Sequence, residues 1–308
     1  MSSIFLWFLQ ILLVPILSPL GIGIINKLKA KLQKRQGASI LQPYRNLSKL
    51  LHKDEVVSSD ASWISYSAPF IIFGITLLVG ASIPLLTTAI HLPSSDMFII
   101  VGLFALETFF LALAGMDVGG AFGGFGSSRE MTMSAFAEGA FVFSIAPLAL
   151  IAGTTNLSLI VSGINTSYMH SLPSILLAFA GFIVVLLVEA KRYPFDNPDT
   201  HLELTMIHEA MLLEYSGKRL ALMEWASANK LFIFVALAVN LFSPFGVTHG
   251  LDLQSILVSS VITLAGMVAL YCIIAVIEST MAKLRFFRLP DLIFTALILD
   301  IVAIGLAL

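Results

Sequence analysis

Between Glu189 and Glu224 the chain carries seven carboxylates, Glu189, Asp196, Asp199, Glu203, Glu209, Glu214 and Glu224, set among leucines, methionines and isoleucines in a protein that is only 12% charged. An ionised carboxylate buried without a partner is costly enough that it shifts its pKa or finds a counter-ion. Acids that can gain and lose a proton in apolar surroundings are the groups from which proton and ion paths are built. Four more acids stand inside apolar runs: Glu107, Glu138, Glu278 and Asp300. A charge at mid-bilayer costs about 3 kcal/mol on insertion scales, so each must face a bundle interior or a water-filled cavity. Glu107 and Glu138 are the stronger candidates, because no basic residue shares their helices at similar depth. Glu278 could pair with Lys283 or Arg285; Asp300 has no evident partner, and its role stays open.

Pro194 and Pro198 forbid a helix running straight on from Glu189, and Thr200-His201-Leu202-Glu203 reads as a capping box that starts a new one, over His201 to about Tyr215. On that helix Glu203 and Glu214 share a face roughly 16 Å apart, while Glu209 points nearly the opposite way. Proton relay is the favoured role for these three. For Asp196, Asp199 and Glu224, ion pairs with Lys191, Arg192, Lys218 and Arg219 serve at least as well. His201 and His208 fall on one helix face, but no HExxH or comparable set completes a metal site. The glycine-rich Gly115–Ser128 lacks the GK[ST] ending of a phosphate cradle, so it is expected to be a flexible loop, with Ser127 or Ser128 capping the next span. No nucleophile triad and no nucleic-acid patch is present.

The elements that position these groups follow from composition. Apolar residues make up 58% of the 308 and mean hydropathy is +0.95, far from a soluble domain. The chain reads as one all-α, polytopic membrane domain over 1–308. Taking about 20 apolar residues per crossing, eight spans are expected, near 4–26, 64–89, 97–116, 131–153, 172–189, 230–248, 254–277 and 291–308. The first run reads as a spanning helix, not a cleaved signal. All 17 lysines and arginines fall in the first, third, fifth and seventh connections or at their edges. By the positive-inside rule these connections are cytoplasmic and both termini lie on the outer, periplasmic side of the cell inner membrane. The first inner loop, 27–63, holds Leu47, Leu50 and Leu51 at amphipathic spacing with Arg45, Lys49 and Lys53 elsewhere on the wheel, a surface helix. The second large inner segment is the acidic loop and helix over 190–229. Trp63 and Trp225 suit the inner ends of spans. Cys272 is the single cysteine, which excludes a disulfide framework or a cysteine-held iron–sulfur cluster within this chain, so a redox cofactor would belong to a partner.

Arg129 followed nine positions later by Glu138, Glu189 followed three later by Arg192, and then RYPFD, LEL and EYSG resemble the membrane subunit of respiratory complex I that joins the redox arm to the membrane arm. KRQG at 34–37 and LQPYRNLSKLL at 41–51 are similar to that family's first inner loop. About one extra helical turn in HLELTMIHEAMLLEYSG, and ESTMAKLRFFRLPD after the seventh span, resemble instead the related subunit of formate hydrogenlyase, hydrogenase-four-type and other membrane-bound nickel–iron hydrogenases. The resemblance implies a non-catalytic subunit that holds hydrogenase-like large and small subunits on its inner loops and contacts antiporter-like membrane subunits and lipid. The nickel–iron centre and iron–sulfur clusters would lie in those partners. Glu107, Glu138, Glu189, Glu203, Glu209, Glu214 and Glu278 would then couple electron transfer to proton or sodium movement. Arg129, Arg192, Asp196, Asp199, Arg35 and Arg45 would make partner or loop contacts, Arg129 equally well by tuning Glu138. Other readings are a quinone-site subunit of a complex I-like NADH or ferredoxin dehydrogenase, and a subunit of an ion-driven transporter without redox chemistry.

Overall fold

The computed structural model describes residues 3–88, 92–167, 171–196, 206–243, 247 and 252–308. Among them the chain forms helices α1 (Ser3–Leu32), α2 (Gln42–Leu51), α3 (Trp63–Ser82), α4 (Met97–Asp117), α5 (Ala121–Ala152), α6 (Leu157–Ser167), α7 (Leu172–Glu189), α8 (His208–Leu212), α9 (Gly217–Phe242), α10 (Leu253–Thr280) and α11 (Leu289–Ala307). Eight of these, α1, α3, α4, α5, α7, α9, α10 and α11, are long and apolar enough to cross a membrane. The number agrees with the apolar runs, but several boundaries do not, and two of the starts change the reading of the site.

The first difference is α9, which starts at Gly217 and not near 230. Its apolar window is 89% buried, against 33% for α10 and 28% for the last span, so α9 is the axis of the bundle and α10 and α11 lie on its lipid side. It packs against α1, α2, α3, α7 and α10. Small residues, Ala221, Ala226, Ala228, Ala236 and Ala238, let those neighbours approach. One contact follows directly from proline chemistry. Pro19 has no N–H, so the Pro15 carbonyl four residues earlier in α1 lacks its helical donor, and Trp225 Nε1 donates to it at 2.8 Å. Trp225 thus docks α9 on α1 and is no interfacial anchor.

The second difference is the glycine-rich stretch, which is helical from Ala121 onward. The turn closes at Gly119, whose φ of +73° suits glycine, and Gly120 is the N-cap of α5. A side chain at Gly123 would overlap the Gly115 carbonyl, so these glycines serve close packing of α4 on α5. Neither Ser127 nor Ser128 caps the helix. Ser127 is buried inside it and donates to the carbonyls of Gly123 and Ala112.

α2 is the expected surface helix: Leu47 is buried while Arg45 and Lys49 face outward. The Tyr44 hydroxyl ties it to α1 by donating to the Ile16 carbonyl at 2.5 Å. α3 stops at Ser82, and residues 83–88 run on as buried non-helical chain. Such backbone survives in a bundle only when its polar groups are met by protein. Gln10 Nε2 donates to the Gly80 and Ile83 carbonyls and its Oε1 accepts from Leu85 N. Asn240 Nδ2 donates to the Pro84 carbonyl at 2.7 Å.

Candidate functional site

Lys230 lies in the middle of α9, 4% exposed. Its Nζ is 2.9 Å from Glu189 Oε2, at the end of α7, and 3.3 Å from Glu107 Oε2, on α4. The two acids share one cation in a place where none of the three meets solvent. Linear reading put Lys230 in a loop and left Glu107 without a basic neighbour; the early start of α9 reverses both. A lone buried carboxylate is untenable, whereas an ammonium held between two acids makes both tolerable in the core.

Lys191, two residues beyond Glu189, reaches the other way and is ion-paired with Glu130 of α5, itself 1% exposed. Burial pushes the Lys191 ammonium down to about 7, helped by repulsion from Lys230 and opposed by Glu107 and Asp196. Its charge is therefore adjustable near neutral pH. Glu130, Ser134 and Glu138 recur at intervals of four on α5, hence on one face, and Ser134 Oγ donates to Glu138 Oε1 at 2.5 Å. Glu138 therefore lies two turns beyond Glu130 on the same face of α5. It is partly exposed and held on its own helix, and it makes no contact with Lys230.

Two pockets meet at Lys191. The larger, about 320 Å³, opens between α1, α2, α8 and α9 and is lined by Asn26, Asn46, Lys191, His208, Glu209 and Glu224. The smaller holds Glu107, Glu189 and Lys230, and shares Lys191, His208 and Ser227 with the larger. His208 stands where they join. Burial and the neighbouring lysines push its imidazole down to about 4, with Asp196 opposing, so it is neutral at pH 7. Its Nδ1 is buried and has no hydrogen-bond partner among the described residues.

Asp196 organises the loop after α7. It accepts from the backbone N–H groups of Ile207 and His208 at 3.3 and 3.0 Å and pairs with Lys283 at 2.6 Å. Glu278, at the end of α10, pairs with Lys29 of α1 and Arg192, each at 3.3 Å. Glu278 takes neither Lys283 nor Arg285, the pairs expected for it, and Arg192 is buried, 5% exposed, against it. Arg129 stacks on Phe125 at 3.8 Å and reaches the Met206 carbonyl at 3.5 Å.

The remaining expectations divide in three. Glu209 lines the large pocket, and of the expected run from 201 to 215 the described residues, 206–215, are α-helical only over the short α8. Glu214 is exposed and lines a separate small pocket with Tyr215 and Arg219. Arg35 and Arg45 are exposed. Asp199, His201 and Glu203 lie outside the described residues. Sequence reasoning missed Lys230 and Glu130 and gave Lys191 only as an ion-pair partner of the loop acids. The available signal was the count of buried acids, which demanded cations in the same core. No group of three or more metal-ligating side chains occurs among the described residues.

Beyond Lys230 the chain turns hydrocarbon. Phe234 stacks on Phe104 with centroids 5.0 Å apart and meets Phe141 at 5.0 Å and Phe182 at 6.2 Å. Each ring lies further from the basic connections than the charged residue on its own helix: Glu107, Glu138, Glu189 or Lys230. The ammonium of Lys230 rests 5.1 Å from the Phe104 centroid. The charged site is therefore open toward the basic connections, through the large pocket, and sealed on the opposite side.

Comparison with known proteins agrees over nearly the whole length. A family model described as NADH dehydrogenase matches residues 4–308. Hydrogenase-4 component C of Escherichia coli (strain K12) is 33% identical over 279 residues, covering 90% of this chain and 87% of that protein. Formate hydrogenlyase subunit 4 of the same organism is 30% identical, covering 90% of each. A subunit of NADH-quinone oxidoreductase from Syntrophotalea carbinolica is 32% identical over 216 residues, covering 63% of this chain and 62% of that one. A chain from the structure of a membrane-bound sulfane sulfur reductase, an archaeal respiratory membrane complex, superimposes with a TM-score of 0.84 at 20% identity over the full length of both, which is a likeness of fold.

Proposed function

This chain belongs to the NADH dehydrogenase family, and from that membership we propose that it is the membrane-anchor and coupling subunit of a hydrogenase- or formate hydrogenlyase-type complex. It is a multi-pass membrane protein of an energy-converting oxidoreductase assembly. In the proposed arrangement the basic connections face the cytoplasm, both termini face the periplasm, and the membrane is the cell inner membrane. Hydrogenase-like large and small subunits sit over the large pocket, carrying the nickel–iron centre and the iron–sulfur clusters. Antiporter-like membrane subunits flank the bundle.

One observation carries the reading: a buried Glu107–Lys230–Glu189 group reached from the basic side through Lys191 and His208, and closed by phenylalanines on the other. A redox event above the pocket changes the local field or proton count. Lys191, poised near neutrality, transmits that change to Lys230 and to Glu130. Because the aromatic plug blocks a straight crossing, the charge leaves sideways, mainly toward α4 through Glu107, with a lesser branch along α5 through Ser134 and Glu138. Glu209 and Glu214 belong to the entrance. Glu203 is proposed with them on the family motif alone, and Glu278 joins on its contacts with Lys29 and Arg192.

A quinone-site reading is supported by the size of the large pocket and its apolar wall of Pro19, Ile22 and Leu47. Affinity purification of the assembly with mass spectrometry and metal analysis separates the readings. Nickel with hydrogenase-like subunits supports the first. NADH- or ferredoxin-oxidising partners with inhibition by quinone analogues support the second, and partners without redox centres contradict both.

A further inference from the structure

Asp300 stands apart from every group described so far. It lies in the middle of α11, on the face turned to α7, and is 0% exposed. Its carboxyl lies flat on Gly181: a methyl group placed on that glycine would overlap both carboxyl oxygens. Neither oxygen has a hydrogen-bond partner among the described residues. The seam is otherwise made of small residues. Ser174, Ala178 and Gly181 of α7 face Ala296, Asp300 and Ala303 of α11, all buried, and Ser174 Oγ donates to the Ala303 carbonyl at 2.7 Å.

The ionisable groups on the elements packed here are Glu189 on α7, Arg129, Glu130 and Glu138 on α5, Asp291 on α11 itself and Arg288 in the turn before it. None of them pairs with Asp300. Glu189 is eight residues from Gly181, about 12 Å along α7. An ionised carboxylate with no cation and no donor cannot persist at such a place, whereas the neutral acid can. α11 packs one face on α7 and α5, while its apolar window is only 28% buried, so the opposite face is open.

We propose that Asp300 is a proton-binding site, carried as the neutral carboxylic acid between α7 and α11, and that this proton fastens α11 to the bundle. Gly181 provides the space for the acid; loss of the proton creates a charge that only outward movement of α11 can bring to water or to a lipid headgroup. The site is separate from the Lys230 group and does not depend on the function proposed above.

The test is infrared difference spectroscopy of the purified assembly, wild type minus Asp300→Asn, in H₂O and D₂O. The expected difference is one carboxylic-acid C=O band, shifted down in D₂O and absent from the variant. Loss of a carboxylate stretching pair instead overturns the proposal. If Asp300→Asn does not assemble, Asp300→Glu serves: a displaced acid band supports the site, and displaced carboxylate bands overturn it. Hydrogen exchange across α11 tests the fastening. As alkali bleaches the acid band, exchange in wild-type α11 should rise while Asp300→Asn, permanently neutral, stays flat; bleaching without faster exchange overturns that part.

Discussion

Lys230 Nζ stands 2.9 Å from Glu189 Oε2, binding the middle of the most buried helix to the end of α7. Glu107 completes the group at 3.3 Å. The ammonium is the element that makes two acids tolerable in this core, so its removal should be worse than removal of all three charges. Lys230→Met is expected to cost about 3–5 kcal/mol, the range for a broken buried pair. Combining it with Glu107→Gln and Glu189→Gln should recover most of that loss. Thermal unfolding of the detergent-solubilised assembly measures both.

Lys191 and His208 give stability a definite pH dependence. Both bases have folded-state values below their ordinary ones, about 7 against 10.5 and about 4 against 6.5. The unfolded chain therefore binds more protons between about pH 4 and 6.5 through His208, and between about 7 and 10.5 through Lys191. Stability should rise with pH across both windows. His208→Gln should flatten the lower rise and Lys191→Met the upper one in melting temperatures recorded against pH.

Ser134, on the same face of α5 as Glu130, donates a 2.5 Å hydrogen bond to Glu138. A hydrogen bond to a charged group contributes about 1.5–3 kcal/mol, so Ser134→Ala should slow ion transfer along the α5 branch by about tenfold. Glu138→Gln should remove transport along it altogether. Partner assembly and dye-linked turnover should be unchanged in both, as read by subunit composition and soluble-acceptor assays.

Glu278 is clamped by Lys29 and Arg192, but the two cations are not equivalent. Arg192 is 7% exposed at its side chain and Lys29 is 14%. Glu278→Gln leaves Arg192 buried and unpaired and should cost about 3 kcal/mol. Lys29→Met leaves the Arg192 contact intact and should cost less than Glu278→Gln. Chemical denaturation of the two variants side by side checks the ranking.

The spans were legible because a membrane helix announces itself by length and hydropathy alone. The charged core was only half legible. Glu107, Glu189 and Glu138 are conspicuous as acids in apolar runs, but Lys230 stands at the edge of one, after a stretch, GKRLALMEWASAN, polar enough to pass for loop. That stretch is helical because α1, α2 and α3 bury it, a tertiary effect that no local pattern records. Glu130 stands just past the glycine-rich segment, where low helix propensity argued for a loop and close packing of α4 on α5 made a helix that buries it. Pair choice was illegible too: Lys283 is near Glu278 in sequence, yet the chain after α7 brings Asp196 to it.

The central claim is that charge entering at Lys191 leaves the Lys230 group sideways through Glu107. Glu107→Gln in the complete complex, reconstituted in vesicles, tests it most directly, because the amide keeps the shape of the acid and cannot carry the charge. The account predicts partner turnover near wild type with ions moved per turnover reduced at least about tenfold, equivalent to about 1.4 kcal/mol or more at the transfer step. An unchanged ratio of ions moved to turnover would contradict it.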